Sequence, residues 1–458
     1  MAEIASLPWH GHPRIPVRGT APAPRHHLET LGEEDRAFAA APALSWDGAY
    51  ASALFISMLF ILELGSMGAA LFCAATLLYC AKRIGTLPAT ASQQWYLLAF
   101  PLLALLSVMW SSLPVETLKH GAEFALTVIA AMLLCSARNQ KSVLLGIFWA
   151  FLLYTAVSLA FGHMVDVGDY GARALSGLSD SKNEEADMAA TGLVVSAFLF
   201  IAGMRIRAKG LALLALAAGL MQAYVTVRAL SAGAIAGTAA ALLVLVALIT
   251  MRKAGRNGRI ALLAAAVLSA VLVAALLLVS STSPLSWAAQ LFGKDPTLTG
   301  RTYLWFRARD FIADHPLLGG GYGAFWQHGN LDAEGLWRYA GIATREGFNF
   351  HNTLYDVLVS LGWIGALVLG LTFLAGLGRL LAGYVRSASL MSCFWLAVAA
   401  YLFIRMPTEC VGINEFYFAT VMLFALLGAG ATMRGPSFAA RGWESCRKAA
   451  WRARGWAG

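Results

Sequence analysis

The sequence predicts an all-α polytopic membrane protein of about twelve transmembrane helices, and three observations carry that prediction. Mean hydropathy is +0.65, and 59% of the residues are hydrophobic against 13% charged, where a soluble domain carries about 25% charged residues. Apolar runs recur at membrane length, since crossing a hydrocarbon core of ~30 Å takes ~20 mostly apolar residues at ~1.5 Å each. Lys and Arg concentrate in every second short connection, the bias that orients helices in a bilayer. The runs are long and rich in Ala, Leu and Gly, which excludes a barrel of short alternating strands.

In chain order, residues 1–46 are polar and Pro-rich, with no apolar stretch before Ala49. They read as a disordered cytoplasmic arm rather than a signal peptide. His10, His12, His26 and His27 in this arm lack Cys or carboxylate partners at metal-ligand spacing. The transmembrane domain spans 47–433, with windows at 48–66, 68–82, 95–110, 120–136, 142–161, 188–204, 210–227, 230–250, 259–280, 352–375, 388–404 and 415–432. Short connections hold Lys82/Arg83, Arg138/Lys141, Arg205/Arg207/Lys209, Arg252/Lys253/Arg256/Arg259 and Arg379/Arg386. The positive-inside rule then places both termini in the cytoplasm. The polar stretch 281–350, between the ninth and tenth windows, falls on the periplasmic side. Helix connections usually take ~2–8 residues, so a stretch of that length is expected to carry chemistry. The tail 434–458 interleaves Trp443, Trp451 and Trp456 with Arg and Lys and reads as a basic amphipathic helix on anionic membrane lipids. Of the cysteines only Cys410 is placed on the outer side, so no structural disulfide is expected. Only Glu63 and Glu123 are counted as acids inside spans, and no pair of broken helices is visible. Both points argue against a transporter.

Five outer-side elements could do chemistry. Trp110-Ser111, with Pro114, Glu116, Thr117 and Lys119, ends the third window; its bland alternative is an interfacial aromatic and a polar turn. Arg173 to Gly177 and Lys182-Asn183 form a small-residue loop with two cations that can wrap an anion. Arg228 lies in a turn so short that it sits at or just above membrane depth, an expensive place for an unused guanidinium. Gly300-Arg301-Thr-Tyr-Leu-Trp305 opens a short amphipathic helix over 301–314. Pro316 follows, then Gly319-Gly320-Gly321-Tyr322-Gly323, a backbone able to pack on a ligand without side chains in the way. Arg345 leads to Phe350-His351-Asn352, which opens the tenth window above Tyr355 and Asp356. Guanidinium groups hold phosphate oxygens in bidentate fashion and neutralise a departing diphosphate. No tight carboxylate cluster for a divalent cation is evident, so arginines are expected in place of a metal. His351 could take a proton from an acceptor hydroxyl, with Arg345 nearby holding the imidazole neutral.

These motifs resemble the O-antigen ligase / Wzy-type polymerase superfamily. Trp110-Ser111-x-x-Pro114, Arg173…Gly177…Lys182-Asn183, Gly300-Arg301-x-x-x-Trp305, Pro316-Leu-Leu-Gly-Gly-Gly-Tyr-Gly323, His351-Asn352 with Gly362-x-x-Gly365, and Glu409 look most like its ExoQ-like exopolysaccharide-polymerase branch. The resemblance covers roughly residues 50–430. It implies a GT-C-like membrane architecture and a metal-independent glycosyltransferase without cofactor, in the bacterial inner membrane. The substrates it implies are an undecaprenyl-diphosphate-linked glycan donor and an acceptor, used at the periplasmic face, with a chain-length regulator as a further partner; no nucleic acid is expected. Carried over residue by residue, His351 and Arg301 are the catalytic residues. Arg228 and Arg301 would bind the diphosphate; Arg345, which matches the family pattern less clearly, Arg173 and Lys182 are expected to join them, with Asn352, Trp305, Gly320, Gly321 and Gly323 in support. Arg228 departs from the pattern, being followed by Ala229-Leu230 where a serine next to the arginine is expected. Two functions fit. A polymerase extends carrier-linked repeat units into exopolysaccharide or O-antigen, whereas a ligase moves the glycan to lipid A-core or protein. A transporter is the rival from another class.

Overall fold

The structure is a computed structural model that describes residues 33–167, 172–179, 181–279, 300–345 and 348–432. The first part of the arm, residues 280–299 of the polar stretch with Lys294, and the tail helix expected over 434–458 lie outside the described residues. Within the segment read as a disordered arm, Glu33–Ala40 is helical. Phe38 packs edge-on against Phe198, and the Lys141 ammonium donates to the carbonyls of Ala39 and Ala41.

Each of the twelve apolar windows holds a helix. They are α1 (Trp46–Leu59), α2 (Ser66–Lys82), a span α3 (Ile84–Met109) made of consecutive α and 3-10 turns, α4 (Pro114–Cys135), α5 (Gln140–Phe161), α6 (Lys182–Arg205), α7 (Lys209–Arg228), α8 (Ala232–Met251) and α9 (Arg256–Val279). After two short helices, α10 (Arg301–Asp314) and α11 (Leu331–Ala340), come α12 (Thr353–Ser387), α13 (Leu390–Arg405) and α14 (Phe418–Thr432). Seven of the described helices, namely α3 to α8 and α12, are long and apolar enough to cross a membrane, and α2, α13 and α14 are shorter apolar helices. The starts follow the local chemistry. Ser45, Asn139, Ser181 and Ser389 each accept a hydrogen bond from an amide in the first turn of the helix that follows, and Pro114 takes the first position of α4, where no amide is needed. Helix α14 is buried from Phe418 to Ala431. A helix apolar on every side belongs in the centre of a bundle, and α14 packs on α12, α4 and α13.

Polar contacts gather at the two ends of the bundle. At one end cations satisfy the last carbonyls of neighbouring helices: Arg83 donates to Ser136, Arg252 to Ala388 and Arg259 to Val385. Positive groups at helix C-termini are the favourable arrangement. At the other end Trp110 donates to the Leu318 carbonyl at 3.0 Å and the Tyr322 amide to Ser107 at 3.0 Å, and the cluster around His351 lies there too.

Three features correct the sequence reading. The stretch before α6 is not a plain loop but an antiparallel hairpin of β1 (His163–Val167) and β2 (Ala172–Gly177), pairing Val165 with Ala174 and Asp166 with Arg173. Strands of that size are invisible to a search for membrane-length runs. Acids inside helices are also more numerous than counted, because α6 starts six residues before its window and takes in Glu185 and Asp187, and Asp356 lies in the first turn of α12. Finally, one long helix is broken: Gly362 in α12 has φ 61° and ψ −163°. The segment 316–321 runs through the break and completes its hydrogen bonding. Gly320 and Gly321 donate to the carbonyls of Val359 and Ser360, and the amides of Trp363 and Ile364 donate to those of Pro316 and Leu317, all at 2.9 to 3.1 Å. An interrupted helix in an apolar setting is tolerated only where such partners are supplied.

Candidate active site

Three elements converge beside the N-terminus of α12: the first residue of α10, the turn 349–352, and the loop between α13 and α14. Their meeting point is Glu409. Its Oε2 lies 3.0 Å from His351 Nδ1, and its Oε1 accepts from Arg301 Nη2 at 2.6 Å and lies 3.3 Å from Arg405 Nη2. Arg301 also donates through Nη1 to the Thr408 carbonyl. Burial alone would raise the Glu409 pKa, but the hydrogen bond from His351 and the charges of Arg301 and Arg405 outweigh it and hold the carboxyl at about 2. Glu409 is therefore ionised and can only accept, so His351 Nδ1 carries a proton and donates it. The Nε2 of a neutral ring is then left as an acceptor.

Behind Glu409 lies a deeper ion pair. Arg405, 2% exposed, donates through Nε and Nη2 to the two oxygens of Asp187 at 2.7 and 2.9 Å, and Tyr401 donates its hydroxyl to the same carboxylate. Burying a guanidinium this far is tolerable only with its hydrogen bonds met.

The turn that carries His351 is built atom by atom. His351 has φ 49°, a conformation uncommon outside glycine. The His351 amide donates to Asn349 Oδ1 at 2.8 Å, and the Phe350 carbonyl accepts from Trp305 Nε1 at 2.8 Å. Asn352 caps α12 through the amides of Leu354 and Tyr355 and donates from Nδ2 to the Pro407 carbonyl at 3.0 Å; the Thr353 amide reaches the Met406 carbonyl. The turn is thus tied both to its own helix and to the loop that carries Glu409.

Among the residues expected from sequence, the structure brings together Arg301, His351, Asn352 and Trp305. Lys182 donates to the Leu230 carbonyl at 3.1 Å, in the turn between α7 and α8. That turn abuts the cluster, since a Cβ on Gly233 would fall 2.0 Å from Arg405 Nη1. Arg228 ends α7 beside this turn; its side chain is exposed and, among the described residues, makes no ion pair. Arg173 stays on the hairpin, 63% exposed, 3.7 Å from Asp166. Arg345 does not face His351 as expected. It pairs with Glu334 at 3.1 Å, on a cleft of about 420 Å³ also lined by Trp337 and Arg338. The group against the imidazole is a carboxylate, not a guanidinium. The glycines expected to face a ligand pack on the chain itself: a Cβ on Gly320 would meet Phe311, on Gly321 Ser111, and on Gly323 His120.

Sequence reasoning missed Asp187, Arg405 and Tyr401 and gave Glu409 no role. Asp187 and Arg405 give one signal, a charged residue set at the very edge of an apolar window; Tyr401 and Glu409 lack it. A second cluster also escaped it, against the expectation of no tight carboxylate group. His120 Nδ1 lies 2.6 Å from Glu415 Oε1 and 3.6 Å from Glu123 Oε2, and ligand atoms of the three lie within 4.8 Å of one another, close enough to hold a cation. Tyr322 donates to the Ile413 carbonyl and to Glu415, which ties the glycine-rich segment to the same loop that carries Glu409.

Comparison with known proteins gives two findings. Residues 216–370 match the O-antigen ligase family (Wzy_C). That stretch holds Arg228, Arg301, Trp305 and the His351-Asn352 pair and stops short of Arg405 and Glu409. The chain is also similar to the exopolysaccharide production protein ExoQ of Rhizobium meliloti (strain 1021), with 31% identity over 347 residues, 74% of this chain and 77% of that protein.

Proposed function

This chain belongs to the O-antigen ligase family and acts in the polymerisation or ligation of exopolysaccharide or O-antigen; from that premise we propose that it is an inner-membrane glycosyltransferase of GT-C type, working at the periplasmic face on glycan carried by undecaprenyl diphosphate. In this reading the chain crosses the membrane twelve times with both termini inside, and it extends carrier-linked repeat units. The similarity to an exopolysaccharide production protein favours the polymerase over the ligase.

The observation that carries the mechanism is the His351–Glu409–Arg301 constellation. Glu409 fixes the imidazole through Nδ1, so Nε2 accepts the proton of an acceptor hydroxyl as its oxygen attacks the anomeric carbon of the donor glycan. The bond from that carbon to the diphosphate breaks, and the lipid diphosphate leaves with the bonding electrons. The remaining N–H groups of Arg301, with Arg228 and Lys182 at the neighbouring turn, neutralise the charge that builds on it, so no metal is needed. Holding donor and acceptor together supplies most of the rate, about 7–11 kcal/mol at best, and base assistance adds about 10²–10⁴-fold.

The test is polymer formation in cells and turnover in membranes supplied with a lipid-diphosphate-linked oligosaccharide. His351→Ala should abolish polymer while the protein stays folded, and His351→Gln should fall nearly as low, because it keeps a hydrogen bond without basicity. Normal polymer from His351→Ala would remove this residue from the mechanism. Transfer to lipid A-core in place of chain growth would favour the ligase.

A further inference from the structure

We infer that Asp356 is a positioning residue for the reaction, holding the amide of Phe350, the residue before His351, so that the imidazole keeps its place on Glu409. Asp356 sits in the first turn of α12, one turn past His351, and is only 6% exposed. Its Oδ1 accepts from the Phe350 amide at 3.1 Å, and the buried Cys410 thiol stands against the carboxyl. Burying an acid costs free energy even with such partners, so a role in packing alone does not account for an acid at this position. What the carboxyl does accomplish is specific. The backbone of Phe350 is held at both of its flanking peptides, its N–H by Asp356 and its C=O by the Trp305 indole. The next residue, His351, is the one with φ 49°. A strained conformation persists only where its surroundings over-determine it; Asn349 and Trp305 hold the Phe350–His351 peptide, and Asp356 holds the peptide before that one. Freed from it, the Asn349–Phe350 peptide can rotate, and the turn can relax toward ordinary backbone and carry the ring away from Glu409.

This inference rests on the assignment of His351 to catalysis, and the experiment separates the two. Full-length Asp356→Ala and Asp356→Asn proteins are compared with wild type and His351→Ala for turnover, KM for acceptor and donor, and melting temperature. Asn keeps an oxygen for the Phe350 amide, and Ala does not. Asp356→Ala should lower kcat about 10²-fold, the scale expected of a misplacement near 1 Å, with both KM values little changed; Asp356→Asn should retain turnover within a few-fold. A purely structural role would instead lower melting temperature and the amount of active protein without changing kcat per folded molecule. If Asp356→Ala does not fold, Asp356→Asn decides alone, with near-normal kcat supporting the inference and a loss as deep as that of His351→Ala overturning it. Normal kcat in Asp356→Ala, with His351→Ala inactive, overturns the positioning role and leaves the catalytic assignment standing. An active His351→Ala overturns that assignment first.

Discussion

At the scale of single residues, the site is governed by one carboxylate with too many cations around it. Glu409 faces His351, Arg301 and Arg405, and its pKa of about 2 lies below the ordinary 4.5. A carboxylate depressed in the fold stabilises it only while ionised. That contribution is fully present above pH about 4.5 and fades as pH falls toward about 2. Glu409→Gln should therefore flatten the dependence of melting temperature on pH between about 4.5 and 2, and a variant that melts with the wild-type acid profile would refute the linkage. The same change removes the group that fixes the His351 tautomer, so turnover should drop by about 10²–10⁴-fold, measured at neutral pH, where folding is intact. His351 was legible in the sequence because it opens a helix at the edge of an apolar run, and Arg301 because it opens a short helix in the polar stretch between two such runs. The duty of Glu409 was not, because its partners stand 58 and 108 positions away, and no local pattern records a contact of that range. Arg345 misled for the same reason: it is near His351 in sequence but turned to Glu334.

At the scale of elements, the helices were legible and their interruptions were not. An apolar run records the solvent around a helix, so every window held one. It does not record a hydrogen bond lent by another segment, which is what the break at Gly362 needs. Gly319 to Gly323 were read as a backbone able to pack on a ligand; the close approach found there is to the chain itself, Gly319, for instance, lying against the backbone of Ser360 and Leu361. The break gives a sharp test. A Cβ on Gly362 would sit 2.3 Å from the Leu317 backbone at φ 61°, so Gly362→Ala should lose about 1–3 kcal/mol from the dihedral alone and more from the clash. Gly370 lies in the same helix with nothing within 4 Å of its virtual Cβ. Gly370→Ala should be neutral, or stabilising by about 0.5–1 kcal/mol. Thermal melting of the two purified variants checks this, and equal melting temperatures would mean that the segment 316–321 does not depend on the kink.

At the scale of the whole molecule, the argument turns on which end of the bundle faces outward. The cations that cap helix C-termini, Arg83, Arg252 and Arg259, all lie at one end, and the His351 cluster lies at the other with α10, α11 and the hairpin. Those capping cations belong to the short basic connections that the positive-inside rule assigns to the cytoplasm. Their burial against carbonyls does not weaken the assignment, because orientation is set during insertion, before the carbonyls are available. If carrier-linked glycans are joined outside the cytoplasm, the site must open there. In a background freed of its native cysteines, Leu331→Cys, 86% exposed in the wild type at the start of α11, should react in intact cells with a maleimide that cannot cross the inner membrane. Arg256→Cys, exposed at the start of α9, should react only after the membrane is opened. The reverse pattern would place His351 and Glu409 in the cytoplasm and overturn the lipid-diphosphate mechanism along with the topology, since both rest on the same end of the bundle facing outward.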